Sequence, residues 1–261
     1  MYETIEVDVV RGVANVALNR PEVRNAFNAT MIGELTAAFG TLAVHEEVRA
    51  IVLSGSGTTF SAGADARWMR ASLDLTLEEN VADADRMWAM FEAIDTVPQP
   101  LVGRVHGAAL GGGMGLVACC DIVVAAEGTL FGFTEARLGI IPAVISGFVL
   151  PKIGESWARA LFLTGERFDV ALAKEIGLAH RIVPEAHLND AVAGKIAELL
   201  SSGSVATKAA KSLIRDVVNR DPEATRSLTT QRIAEIRTSP EGQEGLRAFL
   251  EKRKPAWKRA D

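Results

Sequence analysis

Two loops built from small residues, and one carboxylate in a charge-poor stretch, are the places where this chain can do chemistry. The first loop is Phe60-Ser61-Ala62-Gly63-Ala64-Asp65 and the second is Gly107-Ala108-Ala109-Leu110-Gly111-Gly112-Gly113. Each comes after a short apolar run with the character of a buried strand. Residues this small let a ligand approach the main chain, and a loop that opens a helix presents unpaired N–H groups at the positive end of the helix dipole. Two such loops can converge two N–H donors on one oxygen, as is needed where negative charge develops on a carbonyl. Taken singly, either loop is explained as well by tight strand-to-helix packing. The triple glycine is not followed by Lys-Ser or Lys-Thr, and neither run has the spacing of a dinucleotide fingerprint, which argues against nucleotide hydrolysis and NAD binding. Glu135 lies between Phe131 and Pro142, just ahead of an apolar run closed by the proline. A carboxyl group in apolar surroundings has a raised pKa, which suits a proton shuttle at neutral pH. Arg137 can pair with an acid of the chain or with an anionic group on a ligand.

The elements that must position these residues follow from hydrophobic periodicity. Alternation at Ile5, Val7, Val9 and again at Val13, Val16, Leu18 predicts two strands joined by an Arg11-Gly12 turn. Met31, Leu35, Ala38, Phe39 and Leu42 recur at helical spacing between Ala29 and Val44. The run from Ala50 to Ser54 reads as a buried parallel strand. Then come a helix around Val81 to Ile94, a strand from Leu101 to Val105, a glycine-rich turn with a short helix, and a strand from Asp121 to Ala125. Repeated strand–strand–helix units with glycine-rich exits indicate an α/β core. Beyond Pro142, helical patterns dominate apart from His180 to Val183. Residues 1 to about 200 are therefore expected to form the core, and 201–261 a helical C-terminal region.

At 261 residues, with 48% hydrophobic and 23% charged, the chain can bury a large core. Its net charge of −5 supplies no global field toward nucleic acid or anionic membrane. No apolar stretch approaches the roughly 20 residues of a membrane helix, and Met1-Tyr2-Glu3 leads straight into the first strand without a signal-peptide pattern. Cys119 and Cys120 lack partners at disulfide spacing and read as reduced, buried thiols of a cytoplasmic protein. No His/Cys/Asp cluster has metal-ligand spacing, so neither a metal nor a redox cofactor is expected.

A resemblance joins these pieces. In order along the chain stand Asn19-Arg20-Pro21 with Asn25-Ala26, the Phe60 to Asp65 loop, Val105-His106-Gly107 through Gly113, Cys120-Asp121, Phe131-Gly132 to Pro142, and Leu163-Thr164-Gly165 through Ala173 to Gly177-Leu178. Together they resemble the crotonase superfamily, the enoyl-CoA hydratase/isomerase family, over nearly the whole chain. The resemblance implies a spiral of ββα units followed by a helical C-terminal region that forms trimers and often hexamers. It implies an acyl-CoA substrate whose thioester oxygen is held by the backbone N–H groups of Ala64 and Gly112, with Glu135 as the acid/base. It also implies substrate-binding roles for Arg24, Ala62, Asp65 and Gly111 in the CoA and thioester site. Lys252 and Lys258 are implied as contacts to a neighbouring subunit's CoA.

One departure stands out. Hydratases of the well-studied kind carry a second glutamate in the helix after the triple glycine, where this chain has Gly115, twenty residues before Glu135. Gly115 marks the place of a lost carboxylate and is counted with the substrate-binding positions: either it leaves a vacancy with room for water, or the helix there is tightly packed and a larger side chain would clash. Family isomerases often use one carboxylate at the position of Glu135. The run from Glu135 to Ser146, however, is similar to a hydratase branch acting on carboxylated, branched enoyl-CoAs such as methylglutaconyl-CoA, where Arg137 or Arg67 is a candidate partner for the substrate's acid. Hydratase ranks first and isomerase second. The alternative of another class, a non-catalytic CoA- or RNA-associated binding protein, is disfavoured by the acidic balance and by retention of Glu135.

Overall fold

The computed structural model describes residues 2–218 and 221–258. Strands β1 (Ile5–Val10) and β2 (Val13–Leu18) form an antiparallel hairpin around Arg11 and Gly12, which take the left-handed φ values of 49° and 79° that reverse the chain. Helix α1 (Ala29–Ala43) begins where Asn28 Oδ1 accepts from Met31 N at 2.9 Å, and buries Met31, Leu35, Ala38 and Phe39. Strand β3 (Ala50–Gly55) pairs in parallel with β2 and is buried along almost its whole length. After α2 (Ala66–Ala71) comes α3 (Leu77–Thr96). Helix α3 starts a turn earlier than the apolar pattern suggests, because Thr76 and Glu79 form a reciprocal capping box.

Strand β4 (Leu101–Val105), the short β5 (Ala108–Leu110) and helix α4 (Gly112–Cys119) follow, then β6 (Ile122–Ala126), β7 (Leu130–Gly132), and α5 (Ala143–Thr164), which is broken at Gly154. The chain continues through β8 (Arg167–Asp169), α6 (Val170–Glu175), β9 (Arg181–Val183) and α7 (Leu188–Leu200). Six strands make one sheet in the order β1-β2-β3-β4-β6-β9, parallel except for the hairpin, and β5-β7-β8 make a second. The three strands of the second sheet are absent from the sequence reading, because three residues are too few to show a period. Helices α1, α3, α4 and α5 cover one face of the large sheet, while Leu188, Ala191, Val192 and Ile196 of α7 pack on Val52, Val102 and Val124 of the other. Cys119 and Cys120 are free and buried, and burial pushes the Cys120 thiol up to about 12.

Helices α8 (Ser204–Val217), α9 (Pro222–Thr238) and α10 (Pro240–Leu250) complete the chain. Lys211 of α8 anchors them to the core, its ammonium 2.7 Å from Asp121 and donating to the Gln99 carbonyl at 3.2 Å. Arg49 donates to the carbonyls of Leu200 and Ser202. Yet Ala248 is the single buried side chain that these three helices contribute among the described residues. No helix among the described residues is long and apolar enough to cross a membrane.

Candidate active site

The two small-residue loops meet at the main chain. Ser61 N donates to Ala108 O at 3.1 Å and Leu110 N returns to Ser61 O at 3.0 Å, a strand-like splice between them. Gly63 shows how close the approach is. With φ at +90°, a Cβ there would lie 2.7 Å from Leu110 O and 3.3 Å from Gly112 N. Phe27 brackets Ala64, for its N–H donates to Gly63 O at 2.7 Å and its carbonyl accepts from Asp65 N at 2.8 Å. That leaves the Ala64 N–H, like the N–H of Gly112 at the first position of α4, without an acceptor among the described residues. Gly111 N is tied to Gly132 O at 2.9 Å, so β7 of the second sheet sets the entry into α4.

Glu135 arrives from the far side on a 3-10 turn (Thr134–Leu138), closed by Gly139 in the left-handed conformation. Its Oε1 lies 3.5 Å from where a Cβ on Gly111 would stand, and its Oε2 is buried without a hydrogen-bond partner. Burial raises the carboxyl pKa above the ordinary value, with its own backbone N–H pulling weakly the other way. Ala64, Gly112 and Glu135 line one cavity of about 150 Å³, whose remaining walls include Phe27, Trp68, Met87, Ile140, Val144 and Ile145. Two convergent amides and a protonatable carboxyl group in an apolar chamber can stabilise an enolate and move a proton at the carbon beside it. A groove of about 1000 Å³ lies elsewhere, between Arg49, α7 and Trp257, but it contains no such constellation.

The remaining expected positions separate. Arg24 is exposed, and its carbonyl accepts from Ala62 N at 2.9 Å, so these two stand together at the edge of the loop. Asp65 is engaged within the chain. Its Oδ2 pairs with Arg20 at 2.8 Å, its Oδ1 caps α2 by accepting from Arg67 N at 2.7 Å, and its side chain is 6% exposed. These bonds hold its pKa below the usual range against the opposing effect of burial, which is the largest single influence. Lys252 and Lys258 are exposed on the C-terminal segment. Neither Arg67 nor Arg137 is among the residues lining the cavity, and the aliphatic part of Arg137 lies along Gly165. Trp68 lines the cavity, whereas Trp88 and Phe148 do not line it and pack against each other with their rings tilted by 46°.

Of the two alternatives for Gly115, the structure has the tightly packed one. Gly115 does not face the cavity, since a Cβ there would meet Ile145 Cγ2 at 2.6 Å and the Phe91 ring at 2.6 and 2.7 Å. Phe91 is fully buried between Phe27 and Phe148 and has no room to retreat. Gly115→Glu is therefore expected to lower stability by about 1–3 kcal/mol from overpacking alone, and not to raise hydration. Thermal melts and a crotonyl-CoA assay check this; a stable variant with faster hydration would restore Gly115 as a vacancy. Phe27 is the functional residue missed in the sequence. Its only signal was its place directly after Asn25-Ala26.

Comparison with known proteins agrees with this geometry. The family model described as enoyl-CoA hydratase/isomerase matches residues 8–260. The crystal structure of an enoyl-CoA hydratase from Shewanella pealeana superposes with a TM-score of 0.94 at 38% identity, covering 98% of this chain and 96% of that one. The enoyl-CoA hydratase structure from Mycobacterium smegmatis gives 0.93 at 33% identity, with 98% and 99% covered. A crotonyl-CoA hydratase of Syntrophomonas wolfei is 30% identical over 255 residues, 97% of each chain. With the spliced loops, the free amides and the lone cavity carboxylate in place, the chain belongs to the enoyl-CoA hydratase/isomerase family of the crotonase superfamily.

Proposed function

We propose that the protein hydrates an enoyl-CoA, holding the thioester oxygen on the N–H groups of Ala64 and Gly112 while Glu135 handles the proton. The observation that carries this is the buried, unpartnered Oε2 of Glu135 on the same cavity as both amides. As a carboxylate, Glu135 takes a proton from water as the water oxygen bonds to carbon 3. The electron pair of the double bond moves onto the thioester as an enolate, stabilised by the two amides. Glu135, now protonated, returns the proton to carbon 2. CoA is part of the substrate, no separate cofactor enters the scheme, and we place the enzyme in the cytoplasm. Arg24, Ala62 and Gly111 are assigned to the CoA and thioester side of the site, with Lys252 and Lys258 reserved for a neighbouring subunit's CoA.

A second reading, double-bond isomerisation, is favoured by one observation: Glu135 is the single carboxylate lining the cavity among the described residues. In that reaction the same group carries a proton from carbon 2 to carbon 4. A panel of 2-enoyl- and 3-enoyl-CoA substrates separates the two. Hydration is expected to abolish the absorbance of the conjugated 2-enoyl thioester; appearance of that absorbance from 3-enoyl-CoA, without hydration, would select the isomerase. No change with either would leave a binding protein.

We propose assembly as a homotrimer or a dimer of trimers, the number of copies being what the family resemblance implies and the exposed apolar helices being the face to be covered. Val205, Ile214, Ile233, Leu246, Phe249 and Leu250 of the last three helices are all exposed, Phe249 by 80%. Apolar side chains in this number gain about 25 cal/mol per Å² when a neighbour covers them. Light scattering at micromolar concentration should give three or six times the mass of the chain; a monomer would refute the assignment.

A further inference from the structure

Behind the residues that line the cavity from α3 and α5 runs a line of aromatic rings. Met87 from α3 and Val144 and Ile145 from α5 line the cavity. One residue beyond Met87, the Trp88 ring packs on Phe148 with centroids 5.0 Å apart, and its edge lies 2.7 Å from where a Cβ on Gly147 would stand. Phe148 in turn meets Phe91 at 5.6 Å, and Phe91 meets the cavity wall Phe27 at 6.3 Å. The space between α3 and α5 on this side of the cavity is thus filled by rings. Only Gly147, having no side chain, lets Trp88 seat there.

Volume and charge then define what fits. An apolar cavity of about 150 Å³ holds a group the size of benzene, roughly six carbons. The one ionisable side chain among the lining residues is Glu135, beside the two backbone donors meant for the thioester oxygen and the indole of Trp68. A carboxylate at the far end of the acyl chain would be stripped of water in an apolar chamber beside another acid, which is costly on both counts.

We propose that the acyl group is short and uncharged, of about four to six carbons, and that Trp88 seated on Gly147 sets its length. This rests on the acyl-CoA reading above and names its substrate class. The test is calorimetric binding of saturated acyl-CoAs, which cannot react, from acetyl to decanoyl, with glutaryl-CoA as the charged counterpart. Affinity should rise about fourfold per added methylene up to hexanoyl, as expected for burial of one CH₂ each, and then fall. Glutaryl-CoA should bind at least about tenfold more weakly than its uncharged five-carbon counterpart. Trp88→Ala, or Trp88→Leu if the first is unstable, should move the break to octanoyl or longer; the half-exposed ring makes this a tolerable change. Affinity that climbs through decanoyl in the unaltered protein, equal binding of glutaryl-CoA, or an unmoved break in the Trp88 variants would each overturn the proposal while leaving the acyl-CoA reading intact. Absence of binding to every acyl-CoA would instead remove that reading, and this one with it.

Discussion

Glu135→Gln should lower turnover by at least about 100-fold while leaving CoA-thioester affinity nearly unchanged, because it keeps the shape and hydrogen bonding of the side chain but removes the proton-accepting carboxylate. The variant is read by single-turnover assays alongside calorimetric binding of a saturated acyl-CoA. A Glu135→Gln enzyme that retained both hydration and isomerisation would sink the mechanism and leave a binding protein on this fold. The pH dependence has a determined direction. Burial raises the carboxyl pKa above its ordinary value of 4.5, so the acid limb of kcat/KM should lie above the usual carboxylate range. The same shift acts on stability. A carboxyl group whose pKa is raised on folding contributes stability that is fully present below the unfolded value and is lost as pH rises through the folded one. At neutral pH the ionised group therefore opposes folding, and Glu135→Gln should melt no lower than the unaltered protein there, with any advantage vanishing near pH 4. A clear loss of melting temperature at pH 7 would contradict the unpartnered state of Oε2.

Removing the Gly112 donor is expected to reduce turnover by about 100- to 1,000-fold, the usual effect of losing one oxyanion contact. The simple Gly112→Pro change deletes the N–H, but any Cβ at this position would come within 2.7 Å of Phe27 Cε2. The informative comparison is therefore Gly112→Pro against Gly112→Ala, both in a Phe27→Leu background that clears the ring. Both variants carry a Cβ; proline further lacks the amide proton and adds the Cγ and Cδ of its ring. Proline at the first position of a helix is compatible with its geometry. If the alanine and proline variants turn over at equal rates, Gly112 N–H is not an oxyanion donor. A difference of the expected size, with acyl-CoA affinity changing far less, would establish it, because an interaction formed mainly in the transition state acts on kcat more than on KM.

The sheet core and the C-terminal helices differ in what holds them. The core elements are secured by apolar burial on both sheet faces, whereas the C-terminal helices are attached by a few polar contacts such as Lys211 with Asp121 and Arg49 with Leu200 O.

Much of this was legible in the chain itself, because local rules decide it. Alternation settles the β1–β2 hairpin, helical spacing settles α1, and β3 and β6 reveal themselves as unbroken apolar runs that only a doubly covered sheet can bury. The loops of small residues announced themselves by composition, and Glu135 by its isolation among apolar neighbours. What the chain could not disclose are relations between segments distant in sequence. That Asp65 is spent on Arg20 and the cap of α2, that Phe27 brackets one donor by its main chain and crowds the other with its ring, and that Gly115 faces Phe91 and Ile145 are consequences of packing at close-packed density. A glycine reads the same in sequence whether it leaves room for water or makes room for a neighbour's ring; only the tertiary contacts decide which, because its missing side chain is filled by whatever the fold brings against it.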